Sequence, residues 1–561
     1  LLPGFIEPHC HILPTIATHT WIDLGPFEGQ ELRSNVPDES GKPQTYNRQW
    51  VFNRLRTFVK EQQDKKGGDN PWITGVNVDP SLFADGDKAF NAEVLDIEVT
   101  DEYPILILNA SGHLAYANTK ALKTAIEKIP EPTPEYLKSS DGVLKELAEM
   151  LPVISIIPGP SDEELNESAI EYMKLAASLG LTFLMDAATD PEASNADKPS
   201  ESQVSQLKAL AKSNFSKVRI GSALLAISLE SYNKSIANNY QPGTGDHDYF
   251  IPFIKLVSDG SNQGLTGYQF TPYDCDENYL CYDGRNTETS DCRAEPESCP
   301  DITKQENTGI FNYGYPVEFD ALVSKTTSYG WPLMIHANGD HAITRTISAI
   351  ENASLDEQSR SLLRNRIEHC SLLSDGDIQA MACNNISPSF LIGHVGYWGW
   401  QFQQTILGTE RALLLDRSQS ALDAGMRISF HSDNAVTPLG PLRLMEQAIT
   451  RIMESAPKEL GTEILNEKER ISRLQALRAV TYDAAWQCHA DKWTGSLEVG
   501  KCADFVILEQ DPLTYSNKDK GIFSAEGMRD IPVLETWKGG IRTFPEKCNI
   551  PVRNTKSDQT N

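Results

Sequence analysis

Short apolar runs bounded by turn residues recur along this chain and alternate with helical patterns, and that alternation admits few folds. It argues for a parallel sheet covered by helices, because each parallel pair of strands needs a long crossover between them. The runs span residues 2–7, 104–108, 181–185, 250–257, 331–335, 364–368, 386–390 and 426–430. Val218-Arg219-Ile220, continuing as an apolar stretch to Ile227, is a further strand candidate and is expected to lead into the run at 250–257. Residues 168–179 read as an amphipathic helix that Gly180 would cap. Parallel strands placed in order suggest closure into a (β/α)8 barrel. Two insertions follow strand ends, at about 19–103 and at 268–315. Both leave the face on which barrel enzymes carry their sites. Residues 1–485 are expected to form the barrel, 486–553 a small β region with strands near 503–508, 533–537 and 541–544, and 554–561 a polar tail.

The 561 residues carry a formal net charge of -28. Such a surface repels nucleic-acid phosphates and anionic membranes, so neither is an expected partner. No run of about 18 apolar residues offers a membrane span. The chain opens without Met, at Leu1-Leu2-Pro3-Gly4-Phe5-Ile6, so a trimmed N-terminus is expected, and no signal peptide is visible. Cys275, Cys281, Cys292 and Cys299 share one polar segment without zinc-ribbon spacing. Disulfide staples are their expected use, which favours an extracytoplasmic location, periplasmic or secreted. The acids of that segment, Asp274, Asp276, Glu277 and Asp283, lack EF-hand spacing, so the segment is read as a lid or a stapled loop. Cys10, Cys370 and Cys383 adjoin strands and are expected to be buried.

The strongest chemical signal is His9-Cys10-His11 at the end of the first run. In extended backbone, residues two apart face the same way, so two imidazoles present themselves side by side as a chelate requires. Two unrelated surface histidines are the alternative. The chain has only 11 histidines, and His336 and His369, with Asp433, follow three later runs. Imidazole nitrogens with a carboxylate suit Zn²⁺ or a similar divalent ion. Five ligands are many for one tetrahedral zinc and few for two metals. Lys255, inside the run at 250–257, reads from spacing alone as a salt-bridged lysine. The other reading is a lysine carbamylated by CO2 into an anionic bridging ligand.

Taken in order, Pro3-Gly4-Phe5-Ile6-Glu7-Pro8-His9-Cys10-His11, Lys255 with Asp259-Gly260-Ser261, Ile335-His336-Ala337-Asn338-Gly339-Asp340, Ile367-Glu368-His369 and Ser432-Asp433 resemble the amidohydrolase superfamily. Within it the set is most similar to the amidohydrolase-3 branch, which includes N-substituted formamide deformylases. Residues 495–508 resemble that branch's C-terminal signature, so the resemblance spans nearly the whole chain. It implies an α/β fold: a distorted TIM barrel with a small β-sandwich built by the C-terminal strands. The N-terminal sandwich strands are expected to be missing, since the sequence starts at the first barrel strand. The resemblance also implies an enzyme, a metal-dependent hydrolase, with one or two divalent ions, zinc first. His9, His11 and Asp433 would hold one metal, His336 and His369 the other, and a carboxylated Lys255 would bridge them.

The implied reaction is hydrolysis of a small-molecule, non-peptide C–N bond, a linear amide such as an N-substituted formamide or N-acyl compound. Asp433 is the expected proton carrier. His113, after the run at 104–108, is expected to contact substrate or stabilise an oxyanion. His394, with Tyr397 and Trp398 as apolar wall, is a candidate for substrate binding, with a structural loop role as its alternative. Asp186, Asp259 and Asn338 are candidates to support the ligands. His431 is expected to point away from the site, and His341 to be structural. Rival readings are an ester, phosphoester, cyclic amide or ring-deamination substrate on the same barrel, or a non-catalytic scaffold. A homo-oligomer is compatible with all of them.

Overall fold

Eight parallel strands wrap into one sheet, each hydrogen-bonded to the next in chain order: β1 (Phe5–Cys10), β2 (Leu181–Thr189), β3 (Arg219–Leu225), β4 (Tyr249–Val257), β5 (Leu333–Ala337), β6 (Arg366–His369), β7 (Ser387–Phe390) and β8 (Ser429–Phe430). This computed structural model describes residues 1–546 apart from 39, 65–71, 85–88, 130–132, 192–193, 196–197, 275–306, 314–316 and 518–523. The ring closes between β8 and β1 through a parallel bridge from Cys10 to Asn434. Glu7 reinforces the seam, its carboxylate accepting from the Ser432 N–H at 3.0 Å and the Ser432 hydroxyl at 2.8 Å. The fold is therefore a nearly closed (β/α)8 barrel.

Strand alternation gives the barrel an apolar floor and a polar upper layer. Ile6, Phe183, Met185, Ala223, Phe253 and Met334 belong to one buried cluster. Two residues further along their strands come Lys255 after Phe253 and His336 after Met334. Arg366 sits at the boundary, fully buried, with its guanidinium 5.1 Å from the Phe253 ring centre. The helix Asp162–Ser178 shows how a covering helix is seated. It starts six residues before the sequence expectation because Ser161 and Glu164 form a reciprocal capping box. It ends before Gly180, at φ +83°, where a Cβ would stand 2.8 Å from the Phe5 ring, so only glycine fits.

One expected barrel strand belongs elsewhere. Ile105–Asn109 lies in a separate five-stranded sheet with Ile22–Asp23, Ile73–Val78, Leu114–Ala117 and Val143–Lys145. Ile105 and Ile107 pack into one core and Leu106 into another, so this strand is covered on both faces, as a barrel strand would be. A doubly covered strand reads as a continuous apolar run wherever it sits, which is why the sequence does not separate the two. The barrel place goes to Arg219–Leu225, read above as an approach to the next strand. The first insertion therefore reaches past residue 103 to include this whole sheet.

The C-terminal strands Phe505–Leu508, Val533–Lys538 and Ile541–Phe544 form an antiparallel sheet whose fourth member is Leu2–Pro3, paired with Val506 and Phe505. The N-terminus thus contributes a strand that was expected to be missing. Cys10 and Cys370 are buried as expected, but Cys383, last residue of the helix Asp375–Cys383, is exposed because that helix turns Ile378 and Met381 inward. Cys275, Cys281, Cys292 and Cys299 lie outside the described residues. The described cysteines are all free thiols, so none of them supports an extracytoplasmic location. No helix among the described residues is long and apolar enough to cross a membrane.

The sheet is tied to the barrel by Arg219 of β3, whose Nε and Nη2 reach the Asp504 carboxylate at 2.9 and 3.0 Å. Asp504 is buried and also accepts from Thr494 and the Gly539 N–H. Removing one partner of such a pair leaves a buried charge without its counter-ion, at a cost of about 3–5 kcal/mol. Arg219→Met should lower the urea midpoint accordingly at an unchanged slope. An unmoved midpoint would show that barrel and sheet do not depend on this pair.

Candidate functional site

The C-terminal ends of the strands deliver histidines and carboxylates to one place. His9 is the penultimate residue of β1 and is fully buried; His11 follows the strand. His336 comes from β5. Glu368 and His369 end β6, and regular alternation would send only one of them inward. His369 instead adopts φ +62° and Asp433, past β8, φ +53°, left-handed conformations that cost about 1–2 kcal/mol for a residue with a Cβ. Such strain collects where a site demands a particular side-chain direction.

His9 Nδ1 lies 2.6 Å from Glu368 Oε2. Burial works to raise the Glu368 pKa, but Arg366 and His9 outweigh it and hold the carboxyl at about 2. An ionised Glu368 can only accept, so Nδ1 carries the proton and His9 Nε2 of a neutral ring is a lone pair. That lone pair faces Asp433 Oδ1 at 3.1 Å, and His11 Nε2 is 3.1 Å from the same oxygen. Asp433 is buried, and positive charge on His9 with a hydrogen bond from His11 would hold it well below the usual carboxylate range against the desolvation cost; a bound cation would do the same beside neutral rings. Neither His9 Nε2 nor Asp433 Oδ1 has a hydrogen-bond partner. Acceptors this close call for a cation between them. Two donors each about 2.1 Å from zinc at a tetrahedral angle lie about 3.4 Å apart.

Beside this triad, the His336 and His369 ring centres are 4.4 Å apart. Burial holds both well below the ordinary histidine range, which leaves them neutral and able to ligate. Both His369 ring nitrogens are buried without a hydrogen-bond partner. His336 Nδ1 bonds Asp259 at 3.0 Å, and Asp259 is itself held by the N–H groups of Tyr268, Asn338 and Gly339. A carboxylate behind a ligating histidine fixes its tautomer and direction. Lys255 of β4 is buried and makes no hydrogen bond or ion pair among the described residues. Burial pushes its ammonium down to about 8, against the pull of Glu368 and Asp433. His9, His369 and Asp433 offer ligand atoms all within 4.8 Å of one another. Orphaned lone pairs on neutral rings around an ionised carboxylate fit a divalent cation.

The remaining candidates divide. His113 enters this group from the insertion sheet, its Nε2 3.1 Å from His336 Nε2. Asp186 accepts from the Ile12 N–H and so sets the turn that follows His11. Asn338 receives a hydrogen bond from Ser371, which also meets His394 at 3.3 Å. Tyr397 and Trp398 are buried and face the first insertion, Tyr397 donating to the Gln30 carbonyl and Trp398 to Asp79. His341 stacks between Tyr268 and Phe270, away from the metal donors. His431 is corrected: it stacks on His9 at 4.5 Å and shares a possible ligand group with His9 and Glu368. It lies two residues before Asp433, and extended backbone gives both the same face. Arg366 and Glu146 were missed. Arg366 was readable two residues before Glu368, whereas nothing in the sequence links Glu146 to His113.

The amidohydrolase family model matches residues 1–544. The chain is 25% identical over 566 positions to Protein LONG AFTER FAR-RED 3 of Arabidopsis thaliana, covering 97% of this chain and 82% of that protein. It is 28% identical over 234 residues to N-substituted formamide deformylase of Arthrobacter pascens, covering 42% of this chain but 40% of the deformylase. Among solved structures, an uncharacterized metal-dependent hydrolase from Pyrococcus furiosus aligns with a TM-score of 0.58 at 19% identity, covering 91% of this chain and 87% of that one. This last likeness establishes a shared fold.

The Glu368 contact generates a test of its own. Glu368→Gln keeps the shape but removes the charge that fixes the His9 tautomer. Zinc affinity should fall about 10–100-fold, as for other outer partners of ligating histidines. Competition titration against a chromophoric chelator reads the change, and an affinity equal to wild type would exclude His9 as a ligand.

Proposed function

This chain belongs to the amidohydrolase family and is a metal-dependent hydrolase by class, and on that premise we propose that it hydrolyses a linear amide of a small molecule, an N-substituted formamide or an N-acyl compound. The observation that carries the metal site is the set of buried, unpartnered donors, His9 Nε2, both His369 nitrogens and Asp433 Oδ1. His9, His11 and Asp433 would hold one ion, and His336 and His369 a second. Zinc suits imidazoles with one carboxylate. Bound there, such ions supply a water that ionises near neutral pH and polarisation of a carbonyl.

Lys255 is proposed as the bridge. With its pKa near 8 and no counter-ion in contact, a useful fraction of the amine is neutral. The neutral nitrogen attacks CO2, forming an N–C bond and releasing one proton, and the product is an anionic carbamate. That charge answers the burial that disfavours the ammonium.

Asp433 is the proposed proton carrier. Its Oδ1 faces His9 and His11, while its Oδ2 is 3.9 Å from His369 Nδ1 and less engaged. Oδ2 takes the proton of the attacking water and returns it to the leaving nitrogen, which departs as a neutral amine. No covalent enzyme intermediate is required. His394, near Asn338 through Ser371, is proposed to border the substrate. Tyr397 and Trp398 are proposed to act on that border through the first insertion they hold. The deformylase resemblance supports the amide reading, and it covers less than half of that enzyme.

Protein purified without chelator should hold close to two divalent ions per chain. His9→Ala and Lys255→Ala should each lose metal and slow amide turnover by at least about 100-fold, and a small carboxylic acid should partly restore Lys255→Ala. Turnover of esters or cyclic amides with linear amides left untouched would overturn the substrate assignment. No ion in the native protein, and none taken up from zinc with bicarbonate, would overturn the site.

A further inference from the structure

We infer that His113, supplied by the insertion and not by the barrel, is a ligand at the second metal position beside His336 and His369. This rests on the metal-dependent reading above and adds a residue to it. His113 occupies the turn between the strands Ile105–Asn109 and Leu114–Ala117. Its Nδ1 is 2.9 Å from Glu146 Oε2. Asn312 donates to the same oxygen at 3.2 Å. Against burial, Glu146 works to raise the His113 pKa, so the free ring can hold a second proton; with a cation at Nε2 the ring would keep its one hydrogen on Glu146 and offer Nε2 as a lone pair.

His336 has a similar arrangement, with Nδ1 on Asp259 and Nε2 turned toward His113. The two Nε2 atoms meet at 3.1 Å, and among the described residues no other hydrogen-bond partner faces His113 Nε2. The Asn338 amide gives one hydrogen to the Gly260 carbonyl and its second reaches His336 Nε2 at 3.3 Å, a contact that a bound cation would replace. Two lone pairs at that distance repel unless a cation lies between them. The separation is close to the about 3.4 Å expected for two nitrogens on a tetrahedral zinc. Each ring is backed by a carboxylate on its far nitrogen, the arrangement that orients ligating histidines. The second position then has three imidazoles, and the barrel cannot complete it without the insertion. A proton shared between His113 and His336 is the competing occupant.

Chelator-treated protein in bicarbonate buffer, titrated with Zn²⁺ alone against a chromophoric chelator, separates the two. Wild type should take up two ions. In His113→Ala the first ion should be retained and the second bound at least 10-fold more weakly. Glu146→Gln, which keeps the ring, should weaken the second ion about 10–100-fold. In the Co²⁺-loaded protein Glu146→Gln should also alter the visible absorption band. Two ions of unchanged affinity in His113→Ala, or an unchanged Co²⁺ band in Glu146→Gln where His113→Ala fails to fold, would overturn the ligand role and leave the hydrolase reading standing. One ion in wild type that neither variant disturbs would overturn it as well. No ion in wild type would overturn both.

Discussion

The Glu368 carboxylate is fully buried inside the barrel, and it can stay ionised there only because Arg366 and His9 reach it. Arg366 places Nε 2.7 Å from one oxygen and donates Nη2 to the Pro8 carbonyl at 2.6 Å. The guanidinium therefore binds β6 to β1 at the depth where the floor ends. His9 takes the other oxygen, and this single contact decides which of its nitrogens faces the mouth. Without an acceptor behind Nδ1, the ring could present a hydrogen to Asp433 and would make a poor ligand. The donor geometry of the whole site follows from a charge pair one layer below it.

A second constraint is the lack of water around these groups. His336, His369 and Asp433 are all at most a few per cent exposed, so their charge states answer to each other and not to solvent. Burial strips protons from His336 and His369, while positive charge beside Asp433 keeps it anionic. Lys255 is the outlier, an amine brought among them with no counter-ion in contact among the described residues. Its conversion to an anion by CO2 would remove that mismatch and supply one more oxygen. His11, with 29% of its side chain exposed, and His113, with 16%, mark the side open to solvent.

The insertion meets the face of the barrel that carries the donors, through His113 and His336. Trp398 and Tyr397, from the segment after β7, hold residues of the insertion, and Arg443 and Arg529 both reach its Glu31. His113 of the same insertion reaches His336 of β5. A barrel whose insertion is anchored at several buried points can use it for ligation as well as for covering substrate.

The order of His9, His11, Lys255, His336, His369 and Asp433 along the chain, each near the end of an apolar run, was legible without coordinates. So was the barrel, because residues two apart on a strand share a face and parallel strands need long crossovers. Three matters were decided only in three dimensions. Ile105–Asn109 and Arg219–Leu225 exchanged places, since an apolar run does not say which sheet covers it. Glu368 and His369 both turned inward through a left-handed residue that no local pattern announces. Glu146 met His113 across 33 positions of chain, and such a pairing exists only once Leu114–Ala117 and Val143–Lys145 pair within the insertion sheet. Periodicity reports which face a side chain takes, whereas its partner depends on how separate elements pack, and that information is not local.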